Sequence, residues 1–95
     1  MFREGLAPVK KDGKWGFVDT KGRFRIDPSF EKASSLSEGL AGVCKEGKWG
    51  FINRWGEFLI QPQYDGYHGT GEGLMCVCLN DKWGYINAEN EVQTS

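Results

Sequence analysis

The chain is poor in the residues that usually announce chemistry. It has one histidine, three cysteines, three prolines and two methionines in 95 residues. Its longest apolar runs are only a few residues, far short of the ~20 that a membrane helix needs, so no membrane partner is expected. No apolar stretch follows Met1-Phe2-Arg3-Glu4, which argues against a secretory leader and for a cytoplasmic chain. A formal net charge of -1 leaves no basic surplus to hold nucleic acid. The odd cysteine count fits a reduced compartment. Nor does any stretch show the 3.6-residue stripe of an amphipathic helix. With a length suited to one core, residues 1–95 are read as a single domain.

Glycine and aromatics are what it does have: 14 glycines, six phenylalanines, four tryptophans and three tyrosines. They recur in order. Trp15, Trp49 and Trp83 stand 34 residues apart, as do Gly16, Gly50 and Gly84. So do Lys14, Lys48 and Lys82, and the triplets Glu4-Gly5-Leu6, Glu38-Gly39-Leu40 and Glu72-Gly73-Leu74. Val9, Val43 and Val77 keep the same step without an insertion. Tandem units of this size are the mark of a repeat architecture. They are assigned as 1–34, 35–68 and a partial third, 69–95.

The unit reads E-G-L-x-x-V-x-x-x-G-K-W-G-[FY]-[VI]-[DN]-x-x-G-x-F-x-I-x-P-x-[FY]-[DE]. It resembles the bacterial WG-repeat (KWG-repeat) family over nearly the whole chain. That resemblance implies an all-β repeat, often thought to mediate interactions. The third copy departs from the pattern, with Asp81 and Asn90 in place of glycines and no Pro-x-aromatic stretch.

Turn chemistry points to strands independently. Asp12-Gly13, Glu46-Gly47 and Asn80-Asp81 suit positions at positive φ. Asp19-Thr-Lys-Gly22, Asn53-Arg-Trp-Gly56 and Asn87-Ala-Glu-Asn90 suit a turn capped by its first side chain. Each unit is therefore predicted to be a three-stranded antiparallel meander, roughly Leu6–Lys10, Lys14–Asp19 and Arg23–Asp27. The expected fold is all-β, with three tandem 34-residue meanders in a small solenoid-like array or a closed pseudo-threefold ring. On the third strand Phe24 and Ile26 face inward, against Arg23, Arg25 and Asp27. On the second, Trp15 and Phe17 share one face while Gly16 and Val18 share the other, so both faces need cover. The glycine beside each tryptophan leaves a slot for a flat side chain or marks a β-bulge; the slot is preferred. A tryptophan ladder is expected to form the core.

Candidate chemistry is thin. Cys44, Cys76 and Cys78 are read as free thiols filling strand faces, because Cys-x-Cys on a strand lacks the Cys-x2-Cys knuckle of tetrahedral zinc. His68, in a Gly/Tyr-rich stretch, is read as a solvated loop histidine. Gly69-Thr-Gly71-Glu-Gly73 is superficially similar to a phosphate loop, but no helix or Lys-Ser/Thr follows, so it is taken as a connector. The recurring glutamates are expected to pair with Lys14, Lys48 and Lys82 across strands. Trp55 breaks the pattern, replacing Lys21 and Glu89 at a turn that needs no large aromatic, and is a candidate partner or ligand contact with Arg23 and Arg25.

No catalytic residue, cofactor or metal is assigned. The expected role is a non-catalytic interaction scaffold, either for an unknown protein partner or for self-association. The alternative is an aromatic-repeat binder of a carbohydrate or choline-like ligand. Charge is uneven along the chain: residues 1–34 carry eight basic and five acidic groups (+3), residues 69–95 one and four (-3). Opposite ends of two copies would attract, and a two-fold dimer is favoured over a ring closed within one chain.

Overall fold

A computed structural model describes residues 5–93. It is all-β, with no helix among the described residues. β1 (Ala7–Lys11), β2 (Lys14–Val18) and β3 (Phe24–Phe30) make the first antiparallel sheet. β4 (Lys32–Ala33), β5 (Ala41–Lys45), β6 (Lys48–Ile52) and β7 (Phe58–Tyr64) make the second. β8 (Gly66–Gly71), β9 (Leu74–Leu79) and β10 (Lys82–Ile86) make the third, with β10 at an edge.

The turns form as their residues dictate. Lys11 pairs with Lys14, Lys45 with Lys48 and Leu79 with Lys82, so each hairpin turns in two residues. Both turn residues have positive φ in every copy: Asp12 and Gly13, Glu46 and Gly47, Asn80 and Asp81. Such type I′ turns match the right-handed twist of the strands. The second connections are capped as expected, Asp19 Oδ1 accepting from the Lys21 and Arg23 amides at 2.9 and 3.0 Å. Asn53 and Asn87 do the same one and two units on.

The meander gains a fourth strand. After one residue, Glu31 or Asp65, the third strand of a unit runs on to pair with the first strand of the next: β4 with β5 and β8 with β9. What reads as a connector, Gly69 to Gly73, is therefore strand plus turn. Glu72 and Gly73 both have positive φ between Gly71 and Leu74, and Glu38 and Gly39 repeat this between Ser37 and Leu40. Glu38 and Glu72 are turn residues and not cross-strand partners of lysine. Glu38 instead accepts a hydrogen bond from the Gly73 amide one unit on, and Lys48 pairs with Asp65. Glu4 lies outside the described residues.

Consecutive sheets pack face to face. Leu6, Phe17, Ile26 and Phe30 of the first unit close on Ala41, Val43 and Ile52 of the second, with Leu36 between. One repeat later, Leu40, Phe51, Ile60 and Tyr64 close on Met75, Val77 and Ile86. The array stays open and elongated, 42 × 26 × 20 Å, which selects the solenoid-like form over the closed ring.

The core centres on the aromatic two residues after Trp15 and after Trp49. Phe17 and Phe51 are completely buried. Trp15 and Trp49 are half-buried flanks of the two clusters, and Trp83 is exposed, so the tryptophan ladder is not the core. The bulge reading of the glycines also prevails. Trp15 pairs with Phe30 and Phe17 with Ile26, leaving extra residues on β3, and β7 repeats this opposite β6. A Cβ on Gly16 would stand 2.5 Å from the Ile26 carbonyl oxygen and 2.7 Å from the Pro28 nitrogen. The slot beside each of these tryptophans is thus filled by bulged backbone. Flat side chains cover other glycines: the Tyr67 ring lies against Gly42 and the Trp83 indole against Gly66.

Candidate functional site

Two surfaces collect the residues that could meet a partner. The first lies between units one and two. The capped turn from Asn53 to Gly56 holds Trp55 outward, 74% exposed. Trp55, Arg25, Arg54 and Asp19 line one shallow depression of about 340 Å³ with Gly5 and Leu6. Asp19 anchors the basic residues, its Oδ2 lying 3.4 Å from Arg23 Nε and 3.9 Å from an Arg25 guanidinium nitrogen. The Arg23 amide, then the Lys21 amide and both guanidiniums, hold the Asp19 carboxyl below the ordinary range against an opposing effect of burial. Trp55 and Arg25 are thereby brought together, while Arg23 reaches the site through Asp19. Arg54 was not singled out from the sequence, although its place beside Trp55 on the same turn was a usable signal.

The second surface is the far end of the third unit. Tyr85 occupies the place of the fully buried Phe17 and Phe51, yet is 48% exposed. Trp83 is 57% exposed, and Leu79 and Val92 are exposed beside it. Beside β10, an apolar groove of about 230 Å³ is lined by Leu79, Trp83, Tyr85 and Val92, together with Tyr64, Lys82 and Gly84. On the adjoining face His68, Thr70, Glu72, Cys76 and Tyr85 line a wider depression of about 560 Å³. His68 lies on β8 and not in a loop, its ring set edge-to-face on Trp83 at 6.1 Å between centroids.

Acids that sequence reasoning passed over join the units. Glu31 accepts hydrogen bonds from the Glu46 and Gly47 amides, both at 3.1 Å, across the turn of the next unit. This ties down a glutamate in the left-handed region, a conformation that costs about 1–2 kcal/mol. Asp65 takes the same role toward the Asn80 amide at 2.9 Å and also pairs with Lys48. The Lys48 ammonium, followed by that amide, pulls the Asp65 carboxyl below the ordinary range. The three cysteines are free, with Cys44 and Cys78 buried and Cys76 half-buried. Burial, then the neighbouring Glu31 carboxylate, pushes the Cys44 thiol up.

In comparison with known families, the profile of the WG containing repeat matches residues 1–15, 15–49 and 49–83. No curated protein and no solved structure gives a significant match.

Proposed function

Because the chain belongs to the WG containing repeat family, we propose that it is a non-catalytic β-repeat scaffold for protein–protein contact, including contact with a second copy. One observation carries this reading: Trp83 and Tyr85 lie open on a surface whose counterparts in the other units are packing surfaces. Covering both rings removes on the order of 200 Å² from water, worth about 5 kcal/mol at ~25 cal/mol per Å². Association itself costs ~4–15 kcal/mol, so this patch alone supports only weak binding. The opposed charge of the first and third units supplies steering for self-association. Light scattering between about 50 and 500 mM salt tests that arm. A mass above the monomer that falls with salt supports it, and a monomer at low salt and high concentration refutes self-association.

A second reading rests on the depression at Trp55. An exposed indole beside Arg25 and Arg54 has the make-up of a sugar or anionic-ligand site. The two guanidiniums disfavour a choline-like cation. Titrating neutral and acidic sugars while following tryptophan emission, with Trp55→Ala as control, distinguishes this reading from the scaffold.

A further inference from the structure

We infer that a second copy of this chain docks along the edge built by the three capped turns, in a two-fold arrangement with Trp55 at the axis. This rests on the self-association arm of the scaffold reading and names its surface, its orientation and its central residue.

The capped turns occupy equivalent places in the three units, and their charge reverses along the row. Residues 19–25 carry three basic groups and one acid (+2), residues 53–59 one of each (0), and residues 87–93 two acids and no base (-2). At the tips stand Lys21, Trp55 and Glu89, all exposed. The turns follow one another because each rests on the unit before it. Gly56 of the second turn lies over β3, where a Cβ would stand 3.3 Å from Ile26 Cγ1. Its counterpart in the third turn, Asn90, accepts a hydrogen bond from the hydroxyl of Tyr64 on β7.

Each turn is also held from within. Asp19 accepts from the Lys21 and Arg23 amides, Asn53 from those of Trp55 and Glu57, and Asn87 from those of Glu89 and Glu91. The tips are thus presented on fixed bases, which lowers the ordering cost of a contact. Neither Lys21 nor Glu89 has an ion-pair partner among the described residues.

A row that runs from positive through neutral to negative is complementary to itself turned end for end. A two-fold axis through the middle turn sets Lys21 against the partner's Glu89, and Glu89 against the partner's Lys21. Trp55 then meets the partner's Trp55, and the middle turns bring no net charge against each other. Aromatic contact at the centre with charge at the rim is the usual anatomy of a protein interface. The parallel arrangement would set like charge on like at both ends. A head-to-tail contact would leave Trp55 uncovered and would build open chains instead of closing.

The test measures dimerisation of the 95-residue chain by sedimentation equilibrium at about 50 mM salt, where exposed charges are little screened. The variants exchange residues that this turn position already carries in one unit or another, so the turns themselves stay intact. Lys21→Glu and Glu89→Lys should each weaken dimerisation about tenfold, since the two-fold axis counts every tip pair twice. The double variant Lys21→Glu/Glu89→Lys should recover most of that loss, because its tips again meet opposite charge. Trp55→Lys should weaken dimerisation about tenfold or more, by removing the apolar centre and setting two cations on the axis. A water-soluble carbodiimide, which joins an amine to a carboxylate in contact, should couple Lys21 of an isotope-labelled copy to the partner's Glu89. A double variant weaker than either single one would overturn the interface, because the charges would then act only at long range. So would association that the tip exchanges leave unchanged and Trp83→Ala abolishes; the contact would move to the far end of the third unit and the scaffold reading would stand. A wild-type chain that stays monomeric at low salt removes self-association itself, and this interface with it.

Discussion

Gly50 lies so close to Ile60 that a Cβ on the glycine would stand 2.6 Å from the Ile60 carbonyl oxygen. The atom in the way is backbone, held by strand pairing and by the Pro62 ring that follows, so it cannot swing aside. Gly50→Ala is expected to destabilise the chain by about 3 kcal/mol or more, the upper range for overpacking a tight site. Gly47→Ala is the control. It has open space but a φ of +82°, and should cost only about 1–2 kcal/mol in backbone strain. Urea unfolding of the two variants measures the difference; equal midpoints would mean that β7 gives way to a methyl group.

Much of this was readable from composition and spacing, because the unit recurs with its turns intact. Asp12-Gly13 and Asn53 through Gly56 announce their turn types by residue chemistry alone, and Phe24 and Ile26 announce their face by alternation. Glu72-Gly73 was not readable as a turn, since glutamate is an uncommon occupant of positive φ and its local signal points elsewhere. The bulge opposite Gly16 was equally hidden: a glycine beside a tryptophan looks the same whether side chain or backbone fills the space. The depression at Trp55 was half legible. Trp55 stood out by breaking the repeat, but its meeting with Arg25 depends on how unit two turns over unit one.

A series of aromatic truncations should follow burial and not residue size. Phe51→Ala removes a completely buried ring from the second cluster and should cost about 3–5 kcal/mol. Trp49→Ala removes a half-buried ring that contacts Tyr67 at 5.4 Å between centroids, and should cost less, about 2 kcal/mol. Trp83→Ala, on the open face, should lie within about 1 kcal/mol of wild type. Thermal melts rank the three. A Trp83→Ala variant as damaged as Phe51→Ala would restore the tryptophan ladder as core.

The thiols should separate by exposure. Denatured protein should titrate all three cysteines, as none is bridged. In the native state a disulfide-exchange reagent should take Cys76 first, because it is only half-buried. Cys44 should be slow, since its buried thiol, facing Glu31, is held in the protonated form that does not attack. Mass spectrometry of partly labelled protein reads the order directly. Label appearing first on Cys44 would contradict the packing of β5.

Acid should loosen the joints between units before it unfolds their cores. The Lys48 ammonium and the Asn80 amide lower the folded-state pKa of Asp65, whereas the unfolded chain keeps the ordinary carboxylate value near 4. Between those two values the unfolded state binds the extra proton. Stability therefore rises with pH across that window, is fully present above about pH 4, and is lost as pH falls through the folded-state value. Other carboxylates titrate over the same range, so the informative quantity is a difference. Asp65→Asn should melt lower than wild type at pH 7, lose less on acidification, and converge with wild type once the pH has fallen through the folded-state value. Lys48→Met should act in the same direction, because without the ammonium the aspartate loses the larger part of its shift. If wild type and Asp65→Asn instead lost stability in parallel from pH 6 to pH 3, the pair would contribute nothing, as many exposed ion pairs do. The joint between the second and third sheets would then rest on its apolar contacts and on the Glu38 hydrogen bond to the Gly73 amide.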